Sequence, residues 1–499
     1  MKIGLRNFGP IKEFDIDLEK DFHLLIGHNS IGKSYAITAI YLIVKNLLEF
    51  NAVRNYSFYG LVEAIISSNE KSLLRDTDII RTFLTKGNEK EIEITSYVND
   101  DIKYFLEKTF VTELTNSLIN TFSSLANIRN KLSDDSDDTL IILTMPYYCT
   151  ITCKISDACI SVDSIEKRDK IVAKKSKRVR TVHYGNETSV YIKEDVIISE
   201  QIKQFREHYL SLCTVKFSTL LKYLTRNISG VHYLPASRSG LYQALSAFGQ
   251  IIAELSRNRS FLSKKIELPG ISEPVSDYFI KLSDIRVSKK SFEDKKLNFL
   301  AKEIEENILG GAVEFNSNTK QLMFYPSGTN LKLELSSTSS MVSELAPIVS
   351  YLRYVLTRPK PSYITKRSAS ENNKALVMIE EPEAHLHPDV QIKLTEIFGK
   401  LVGADIKLII TTHSNFIFNK VNNLIIKKTA MNSEEGLSQD NVNSVVFKNT
   451  KKGSVALPMQ TDQFGISDNN FIEPTELLFD EKMELYSKIE ENSNLDEEV

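Results

Sequence analysis

The sequence predicts an α/β fold, in which the strands of a central sheet alternate with helices. Three segments indicate it: an apolar run that leads into a glycine-rich loop at residues 22–34, and two later apolar runs, at residues 375–388 and 407–414, that end in polar side chains. Apolar runs of this kind are typical of strands buried on both faces of a parallel sheet. Because ligands bind at the carboxyl ends of such strands, the three segments also predict one shared site.

The composition is that of a globular protein. The chain has 499 residues, of which 42% are apolar and 25% charged, and a chain of this length is expected to form two or three domains. Its 62 basic and 65 acidic side chains give a net charge of −3, so no overall basic field indicates nucleic acid as a partner. No apolar run is long enough to span a bilayer and no signal core follows the first basic residues, so we expect a cytoplasmic protein.

Four cysteines, Cys149, Cys153, Cys159 and Cys213, are too few for a disulfide framework in a chain of this length. The first three lie close together in the sequence, but no Cys-x-x-Cys pair or neighbouring histidine accompanies them. The pattern is more typical of buried strand thiols than of a metal site.

The N-terminal segment predicts a β-hairpin followed by a strand, a loop and a helix. Apolar residues alternate over residues 2–18 and are interrupted by the turn Gly9-Pro10, which is the periodicity of two strands. Residues 22–26 form a short apolar run typical of a buried strand. Residues 35–48 are rich in Ala, Ile and Leu and predict a helix.

The loop between that strand and that helix matches the phosphate-binding pattern G-x-x-x-x-G-K-[ST] at every fixed position, as Gly27-His28-Asn29-Ser30-Ile31-Gly32-Lys33-Ser34. Its two glycines allow the tight turn that points successive N–H groups at one anion. Lys33 is expected to reach the β- and γ-phosphates of a nucleotide, and the Ser34 hydroxyl to hold Mg²⁺. The residues predicted to contact the nucleotide here are Gly27, Asn29, Gly32, Lys33, Ser34 and Tyr35.

The composition changes after the helix that follows the phosphate loop. Residues 51–138 are interpreted as mostly helical, with the longest helical stripe over residues 100–132. A helix is predicted again over residues 199–224. The candidate strands between them are residues 140–145, 147–155, 158–162, 178–184 and 188–193.

The densest basic stretch of the chain, residues 167–180, lies between two of these strands. One interpretation is a solvated hairpin loop, and the other is a contact with DNA or RNA phosphates or with an acidic partner. Under the second interpretation, neutralising the basic side chains should weaken nucleic-acid binding and lower its salt dependence.

The second half of the chain continues the alternation of strands and helices. A strand over residues 231–234 precedes a polar loop in which Arg238 or Gln243 is a candidate to contact a nucleotide. The further elements predicted are a helical region over residues 241–309, three short strands over residues 310–335, a helix over residues 341–356, strands over residues 421–427 and 442–447, and a C-terminal amphipathic helix with an acidic tail over residues 473–499.

The apolar run at residues 375–379 ends in Glu380 and Glu381. At the carboxyl end of a parallel strand, Glu380 is expected beside Mg²⁺ and Glu381 beside the attacking water. A Glu-Glu pair alone is usually a solvated turn. A buried strand ahead of it, and a phosphate loop elsewhere in the chain, favour a catalytic pair.

The apolar run at residues 407–410 predicts another strand, which ends in Thr411-Thr412-His413-Ser414. A helix predicted over residues 390–401 separates it from Glu381, as in a β-α-β unit of two parallel strands. His413 is therefore expected at the same sheet edge, where it can donate a hydrogen bond to a γ-phosphate oxygen or orient water.

Together these motifs resemble the ABC-type P-loop ATPase heads of the OLD, SMC and RecF class, over residues 1–45 and about 230–430. The resemblance is closest to ATPases of bacterial anti-phage systems: the OLD and Gabija type, the Septu ATPase PtuA, which also occurs with retrons, and AriA of the PARIS system. It implies a head with a mixed central sheet flanked by helices and a helical plus β insertion. The implied division is an N-terminal lobe over residues 1–50, the insertion over 51–225, a C-terminal lobe over 226–460, and a C-terminal helix and acidic tail over 461–499.

The resemblance also implies a role for each matching residue. The roles are phosphate and Mg²⁺ binding for Lys33 and Ser34, the Walker B position for Glu380, the catalytic glutamate for Glu381, the D-loop for residues 383–387 and the switch histidine for His413. The segment from Ser339 and Ser340 to Leu345 resembles the signature segment, which contacts the γ-phosphate held by the opposite subunit. Two positions depart from the family pattern, because Glu380 replaces the usual aspartate and Met341 stands where glycine is usual.

The family architecture implies a homodimer or higher oligomer, in which two ATP molecules with Mg²⁺ lie between paired heads. The sequence after Ser414 carries no further β-α-β series and no Asp-x-Asp metal motif, and no His-Asn-His nuclease pattern is visible. We therefore expect an ATPase without a nuclease of its own, and the resemblance implies that it senses phage infection and controls a separate nuclease or toxin. Two alternatives stay open: an ATPase of the RecF or SMC kind that acts on DNA in repair, and a scaffold that holds ATP and hydrolyses it slowly.

Overall fold

The structure is a computed structural model. It describes residues 1–53, 58–73, 81–83, 85, 91–134, 137–167, 169–177, 180–184, 187–193, 196–236, 238–240, 271–285, 295–316, 321–356, 373–431, 433, 435–467 and 479–487. Two features predicted from the sequence, Gln243 and the acidic tail after residue 487, lie outside these ranges.

The strands are β1 (Lys2–Phe8), β2 (Ile11–Asp17), β3 (Phe22–Ile26), β4 (Glu91–Glu93), β5 (Thr139–Met145), β6 (Cys149–Ile155), β7 (Ile160–Lys167), β8 (Lys170–Ser176), β9 (Arg180–Tyr184), β10 (Glu187–Lys193), β11 (Ile228–Leu234), β12 (Gly311–Asn316), β13 (Gln321–Pro326), β14 (Leu333–Glu334), β15 (Lys374–Glu380), β16 (Ile406–Thr412), β17 (Val442–Thr450), β18 (Gly453–Pro458), β19 (Thr461–Asp462) and β20 (Gly465–Ile466).

The helices are α1 (Lys33–Val53), α2 (Phe58–Ser68), α3 (Thr95–Leu106), α4 (Thr112–Phe122), α5 (Ile198–Leu224), α6 (Glu273–Ser283), α7 (Lys295–Ile304), α8 (Ser340–Ser350), α9 (Pro388–Gly403) and α10 (Asn415–Met431). Single π-helical turns follow α3 (Glu107–Val111), α7 (Glu305–Leu309) and α8 (Tyr351–Val355). Residues 479–487 are also helical and exposed.

In the described part of the chain, the largest sheet has eleven strands in the order β11-β15-β16-β3-β17-β18-β2-β1-β5-β6-β7. Its first five strands are parallel, because β15 pairs in parallel with β11 and β16, and β3 with β16 and β17. Of the remaining pairs only β18 and β2 are parallel. The predicted α/β class with a mixed central sheet is confirmed.

The central strands are buried on both faces and join two apolar clusters. In β15, Leu376 and Met378 belong to the cluster of the N-terminal hairpin, α1 and the insertion, whereas Val377 and Ile379 belong to the cluster of the C-terminal elements. Successive side chains of a strand point to opposite faces, so a strand between two layers must be apolar throughout. This requirement explains the uninterrupted apolar run ahead of Glu380.

The predicted insertion contributes to two sheets. Strands β5, β6 and β7 pair beyond β1 and extend the main sheet, whereas β4, β8, β10 and β9 form a separate four-stranded sheet. The insertion over residues 51–225 is thus continuous with the head through the pairing of β1 with β5. The division of the chain into domains stays a prediction.

The interpretation of residues 167–180 as a hairpin loop is wrong, because Lys170–Ser176 is strand β8 and the centre of that strand is buried. Two of its lysines are also paired with acidic side chains. Lys174 Nζ lies 2.8 Å from a Glu187 oxygen and 3.4 Å from a Glu91 oxygen, both on neighbouring strands, and Lys170 Nζ lies 3.7 Å from a Glu93 oxygen. This pairing reduces the positive charge that the segment offers to a phosphate backbone.

The prediction of a strand over residues 421–427 is wrong as well. These residues belong to α10, whose buried side chains Ile417, Phe418, Val421 and Leu424 recur at three- and four-residue spacing. That spacing is the apolar stripe of a helix packed on a sheet.

The structure locates the four cysteines and bears on the predictions about metal binding and membrane spans. Cys149 and Cys153 are buried strand thiols, as predicted, but Cys213 lies in α5 and Cys159 is exposed. Within the described ranges no three His, Cys, Asp or Glu side chains cluster as a metal site. Of the helices that the structure describes, none combines the length and the apolar character needed to cross a bilayer.

Candidate functional site

Three strand ends bring the predicted site residues to one edge of the sheet. The phosphate loop follows β3 directly after Ile26, which pairs with Thr412 of β16. Glu380 is the last residue of β15 and pairs with Thr411. Since β3, β15 and β16 run parallel, their carboxyl ends lie at the same edge.

The phosphate loop has a backbone that requires its second glycine. Gly32 has a φ of +105°, which L side chains rarely adopt, and an added Cβ would lie 2.9 Å from Ile11 Cγ1 of the N-terminal hairpin. Helix α1 begins at the next residue, Lys33. The unpaired N–H groups of its first turn, together with the helix dipole, therefore face the loop and favour an anion there.

The Lys33 side chain lies across this loop. Its Nζ donates to the carbonyls of Gly27 and His28, both at 2.8 Å, and lies 3.3 Å from His413 Nε2. The residue is only 5% exposed. Burial lowers the pKa of the Lys33 ammonium group to about 8, and three nearby glutamates oppose that shift.

Glu381 and His413 face each other beside Lys33. His413 Nε2 lies 3.0 Å from Glu381 Oε1. The Glu381 backbone has a positive φ of 41°, and its N–H donates to the Thr411 carbonyl at 3.0 Å and to the Thr411 hydroxyl at 3.2 Å. A non-glycine residue in this region is strained, and such strain is typical of functional positions. Strand β16 therefore fixes the direction in which the Glu381 side chain leaves the backbone.

Glu380, in contrast, is buried. Burial raises the pKa of its carboxyl group, while the hydroxyls of Tyr233 and Ser34 favour the ionised form. Its Oε2 accepts from the Ala236 N–H at 3.5 Å, and its Oε1 is buried without a hydrogen bond of ordinary geometry. An orphaned carboxylate oxygen beside a hydroxyl fits a hard divalent cation, so Glu380 and Ser34 are the residues that would hold Mg²⁺.

Glu383 supports the other side of the site. Its Oε1 accepts from the Thr412 hydroxyl at 2.8 Å and from the His413 N–H at 2.7 Å. Charged acceptors make the stronger hydrogen bonds, so Glu383 holds the backbone from which His413 projects. The sequence assigns Glu383 only by resemblance, because a contact between two separate turns produces no periodic pattern.

A pocket of about 570 Å³ opens at this edge of the sheet. It is lined by Pro10, Asn29, Ser30, Ile31, Gly32, Lys33, Ser34, Tyr35, Glu381 and His413. Tyr35 also contacts Phe122 of the insertion, with ring centroids 4.9 Å apart. A separate pocket of about 410 Å³, between α7 and α9, contains none of the predicted site residues.

The structure does not bring Ser339 and Ser340 to the phosphate loop of their own chain, since neither lines its pocket. Ser339 is the N-cap of α8, where its hydroxyl accepts from the Val342 N–H at 3.4 Å. Both serines are exposed. The N-terminus of α8 therefore faces outward, open to a second molecule.

Arg238 does not line the pocket either, so the prediction that it contacts the nucleotide is corrected. It is fully buried, and its Nη1 donates to the carbonyls of Glu380 at 2.8 Å and Pro235 at 3.2 Å. On its other side it faces the carboxylate of Glu344 in α8. A lone arginine in a polar loop gave no sign in the sequence that it would be enclosed in this way.

Comparisons with known proteins identify the family. A family profile described as AAA ATPase domain matches residues 1–418. No curated protein matches the sequence.

Solved SMC heads cover nearly the whole chain at low similarity. The SMC head domain from Thermotoga maritima is 9% identical with a TM-score of 0.30, over 92% of this chain and 98% of that chain. The Smc head domain with an extended coiled coil bound to the C-terminal domain of ScpA, derived from Pyrococcus furiosus, is 10% identical with a TM-score of 0.32, over 96% and 98%. The SmcHead bound to the C-winged helix domain of ScpA is 9% identical with a TM-score of 0.36, over 92% and 97%. These scores are too low to support a functional comparison.

Proposed function

The chain belongs to the AAA ATPase domain family, and on that premise we propose that it binds ATP with Mg²⁺ on the phosphate loop and hydrolyses it. The observation that carries the proposal is the convergence of three distant residues: His413 Nε2 lies 3.3 Å from Lys33 Nζ and 3.0 Å from Glu381 Oε1. A cation and an anion cradle can stabilise the transferring phosphoryl group, and a carboxylate and an imidazole can orient or deprotonate the attacking water.

The binding role falls to the loop and to Lys33. The loop N–H groups and the start of α1 would accept the phosphates, and Lys33 Nζ would exchange the carbonyls of Gly27 and His28 for phosphate oxygens. Ser34 and Glu380 would hold Mg²⁺, which would supply charge neutralisation for the phosphates.

The chemical role falls to Glu381 and His413. The Glu381 side chain is 39% exposed and the His413 side chain 27%, so water reaches both. Glu381 would accept the proton of the attacking water, and His413 would donate a hydrogen bond to a γ-phosphate oxygen. Glu383 keeps His413 in place through its bonds to the end of β16.

We also propose a dimer in which two chains enclose two nucleotides. The exposed N-terminus of α8, with Ser339 and Ser340, would contact the γ-phosphate held on the partner's phosphate loop. A helix N-terminus is suited to that contact because its free N–H groups and dipole favour anions. The nucleotide would then contribute to the interface between the two heads.

The further role we propose is that of a regulatory ATPase in a bacterial anti-phage system, which controls a separate nuclease or toxin. Its support is the combination of ATPase motifs with a large insertion and the absence of a recognisable nuclease motif in the sequence. A role in DNA repair is less supported, because that alternative relied on the basic segment at residues 167–180, and two of its lysines, Lys170 and Lys174, pair with acidic side chains.

Two substitutions test the enzymatic proposal. Glu381→Gln should abolish ATP hydrolysis but keep ATP binding and the ATP-dependent dimer, because it removes only the base. Lys33→Ala should lose ATP binding, because the triphosphate loses its cation. A phosphate-release assay, equilibrium binding and mass photometry measure the three quantities.

The matched control is Glu396→Gln in α9, whose carboxylate pairs with Lys420 and does not line the phosphate-loop pocket. This variant should hydrolyse ATP at the wild-type rate. Unchanged turnover in Glu381→Gln would show that Glu381 is not the base, and unchanged affinity in Lys33→Ala would remove the phosphate-loop assignment.

The defence role is tested with the neighbouring genes. We expect a nuclease, toxin or reverse transcriptase gene beside this one, and expression of both should reduce phage plating, whereas the pair with Lys33→Ala should not. Full protection by this chain alone, or by the pair with Lys33→Ala, would contradict the proposed control of an effector.

A further inference from the structure

We propose that Arg238 is a positioning residue that couples the end of β15 to helix α8, so that the nucleotide on a chain's phosphate loop sets the placement of the same chain's Ser339–Ser340 helix start. The inference rests on the proposed function, because it assigns a route between the nucleotide site of a chain and the surface that would contact the partner's nucleotide. The link is made of buried, charged groups rather than of apolar packing alone.

The first half of the link is a hold on the backbone at the Mg²⁺ carboxylate. Arg238 Nη1 donates to the main-chain carbonyl of Glu380 at 2.8 Å, directly behind the residue whose carboxylate would bind the cation. The same nitrogen donates to the Pro235 carbonyl at 3.2 Å. If the end of β15 shifts when the Glu380 carboxylate binds a ligand, the guanidinium group of Arg238 must therefore shift or change its bonds.

The second half is a hold on α8. Arg238 Nη2 lies 3.3 Å from Glu344 Oε2, and Arg238 Nε donates to the Glu344 carbonyl at 3.4 Å. The other Glu344 oxygen accepts from the Ser239 hydroxyl at 2.6 Å. Glu344 lies about one helical turn beyond the capping Ser339, so the pair acts on the part of α8 that the proposed dimer would use.

The pair is fully enclosed but incompletely bonded. The Arg238 side chain is 0% exposed and that of Glu344 is 1% exposed. Yet Arg238 Nη2 and Glu344 Oε2 lack a hydrogen bond of ordinary geometry, as does Glu380 Oε1 at the other end of the link. Buried charges with unused hydrogen-bonding capacity are costly, so a purely structural contact would be expected to satisfy them.

This incomplete bonding is the reason for assigning a coupling role. The inference therefore includes a second arrangement in which the Arg238–Glu344 bond closes, and a ligand that binds one arrangement better would shift the population between them. Arg238 is the group that would connect the two sites, because it bonds to the end of β15 and to α8.

The test separates this role from a purely structural one. Arg238→Gln alone leaves Glu344 buried and unpaired, which destabilises the fold, so the informative variant is the neutral pair Arg238→Gln with Glu344→Gln. We expect the neutral pair to unfold within a few degrees of the wild type and to keep its KM for ATP. Its kcat should fall by on the order of tenfold to a hundredfold. Its ATP-dependent dimer, measured in the Glu381→Gln background, should weaken by a similar factor.

The conservative variant Arg238→Lys keeps the positive charge but lacks the several N–H donors of the planar guanidinium group. It should recover part of the kcat that the neutral pair loses. The control is Lys407→Met, which removes a buried cation paired with Asp21 at 2.9 Å, at the opposite end of β16. This control should lower the unfolding temperature without changing kcat.

Two results would overturn the inference. One is a neutral pair with wild-type kcat and a wild-type ATP-dependent dimer. The other is that Lys407→Met, which only lowers stability, loses as much kcat as the neutral pair does. Failure of the proposed function is distinguishable, because the wild-type chain itself would then neither bind nor hydrolyse ATP.

Discussion

At the residue scale, Lys33 makes nucleotide binding depend on pH. Burial lowers the pKa of its ammonium group to about 8, so the free protein loses this charge as the pH rises through about 8. We predict that ATP affinity falls above that pH and that binding there takes up a proton, because the triphosphate favours the charged form. Titration calorimetry in buffers of different ionisation enthalpy measures both effects.

The stability of the fold changes with pH in the opposite direction to the ATP affinity. The folded protein holds this proton less tightly than the unfolded chain, so burial of Lys33 costs stability below its folded pKa of about 8, and that cost disappears as the pH rises toward the usual lysine pKa. Lys281 is the matched control, because burial also lowers its pKa to about 8 while its Nζ donates to the Val231 carbonyl instead. Lys281→Met should keep the pH dependence of ATP binding; loss of that dependence would contradict the assignment to Lys33.

Some of the site residues can be predicted from the sequence alone, and others cannot. Lys33, Glu381 and His413 could be found because each stands at a fixed place relative to a strand end, and parallel strands bring such ends together. The contacts of Glu383 and Arg238 could not be predicted in this way, because their partners are backbone and side-chain groups of separate turns and helices. The signal that would reveal them is the three-dimensional arrangement itself.

At the scale of elements, the start of α8 depends on one hydroxyl. Ser339 accepts from the Val342 N–H at 3.4 Å, and Ser339→Ala should destabilise the first turn by about 1 kcal/mol. Ser340 is the first helical residue and its side chain makes no capping bond, so Ser340→Ala should have little effect. Hydrogen exchange of the Val342 amide measures the difference; equal exchange in the two variants would contradict the cap.

Element types were predictable where apolar spacing was unambiguous. The strands β3, β15 and β16 were predictable, since each contains a short, mostly apolar run that leads into a polar turn. Residues 421–427 were not, because a short apolar run suits a strand or a buried helix equally. Strand β8 was not predicted because its lysines are typical of a solvated loop. Lys174 pairs with acidic side chains on neighbouring strands, and the sequence does not show that these strands are neighbours.

At the scale of the whole molecule, the charge balance predicts weak use of the insertion for nucleic acid. Lys174 pairs with Glu187 and Glu91, and Lys170 Nζ lies 3.7 Å from a Glu93 oxygen. Replacing both lysines with alanine should leave DNA and RNA affinity, and the dependence of that affinity on salt, unchanged. A fluorescence-anisotropy titration over a salt series checks this; a lower salt slope in the double variant would restore the nucleic-acid interpretation of the segment.

The place of β3 in the middle of the sheet has a consequence for synthesis on the ribosome. Phe22 pairs with Leu408 on one side and with Val442 on the other. At about 5–20 residues per second, the roughly 400 residues between them take on the order of 20–80 s to be translated. Until then the strand that carries the phosphate loop has neither neighbour. The nucleotide pocket can therefore form only after β16 and β17 have been translated, although its loop is among the first segments made.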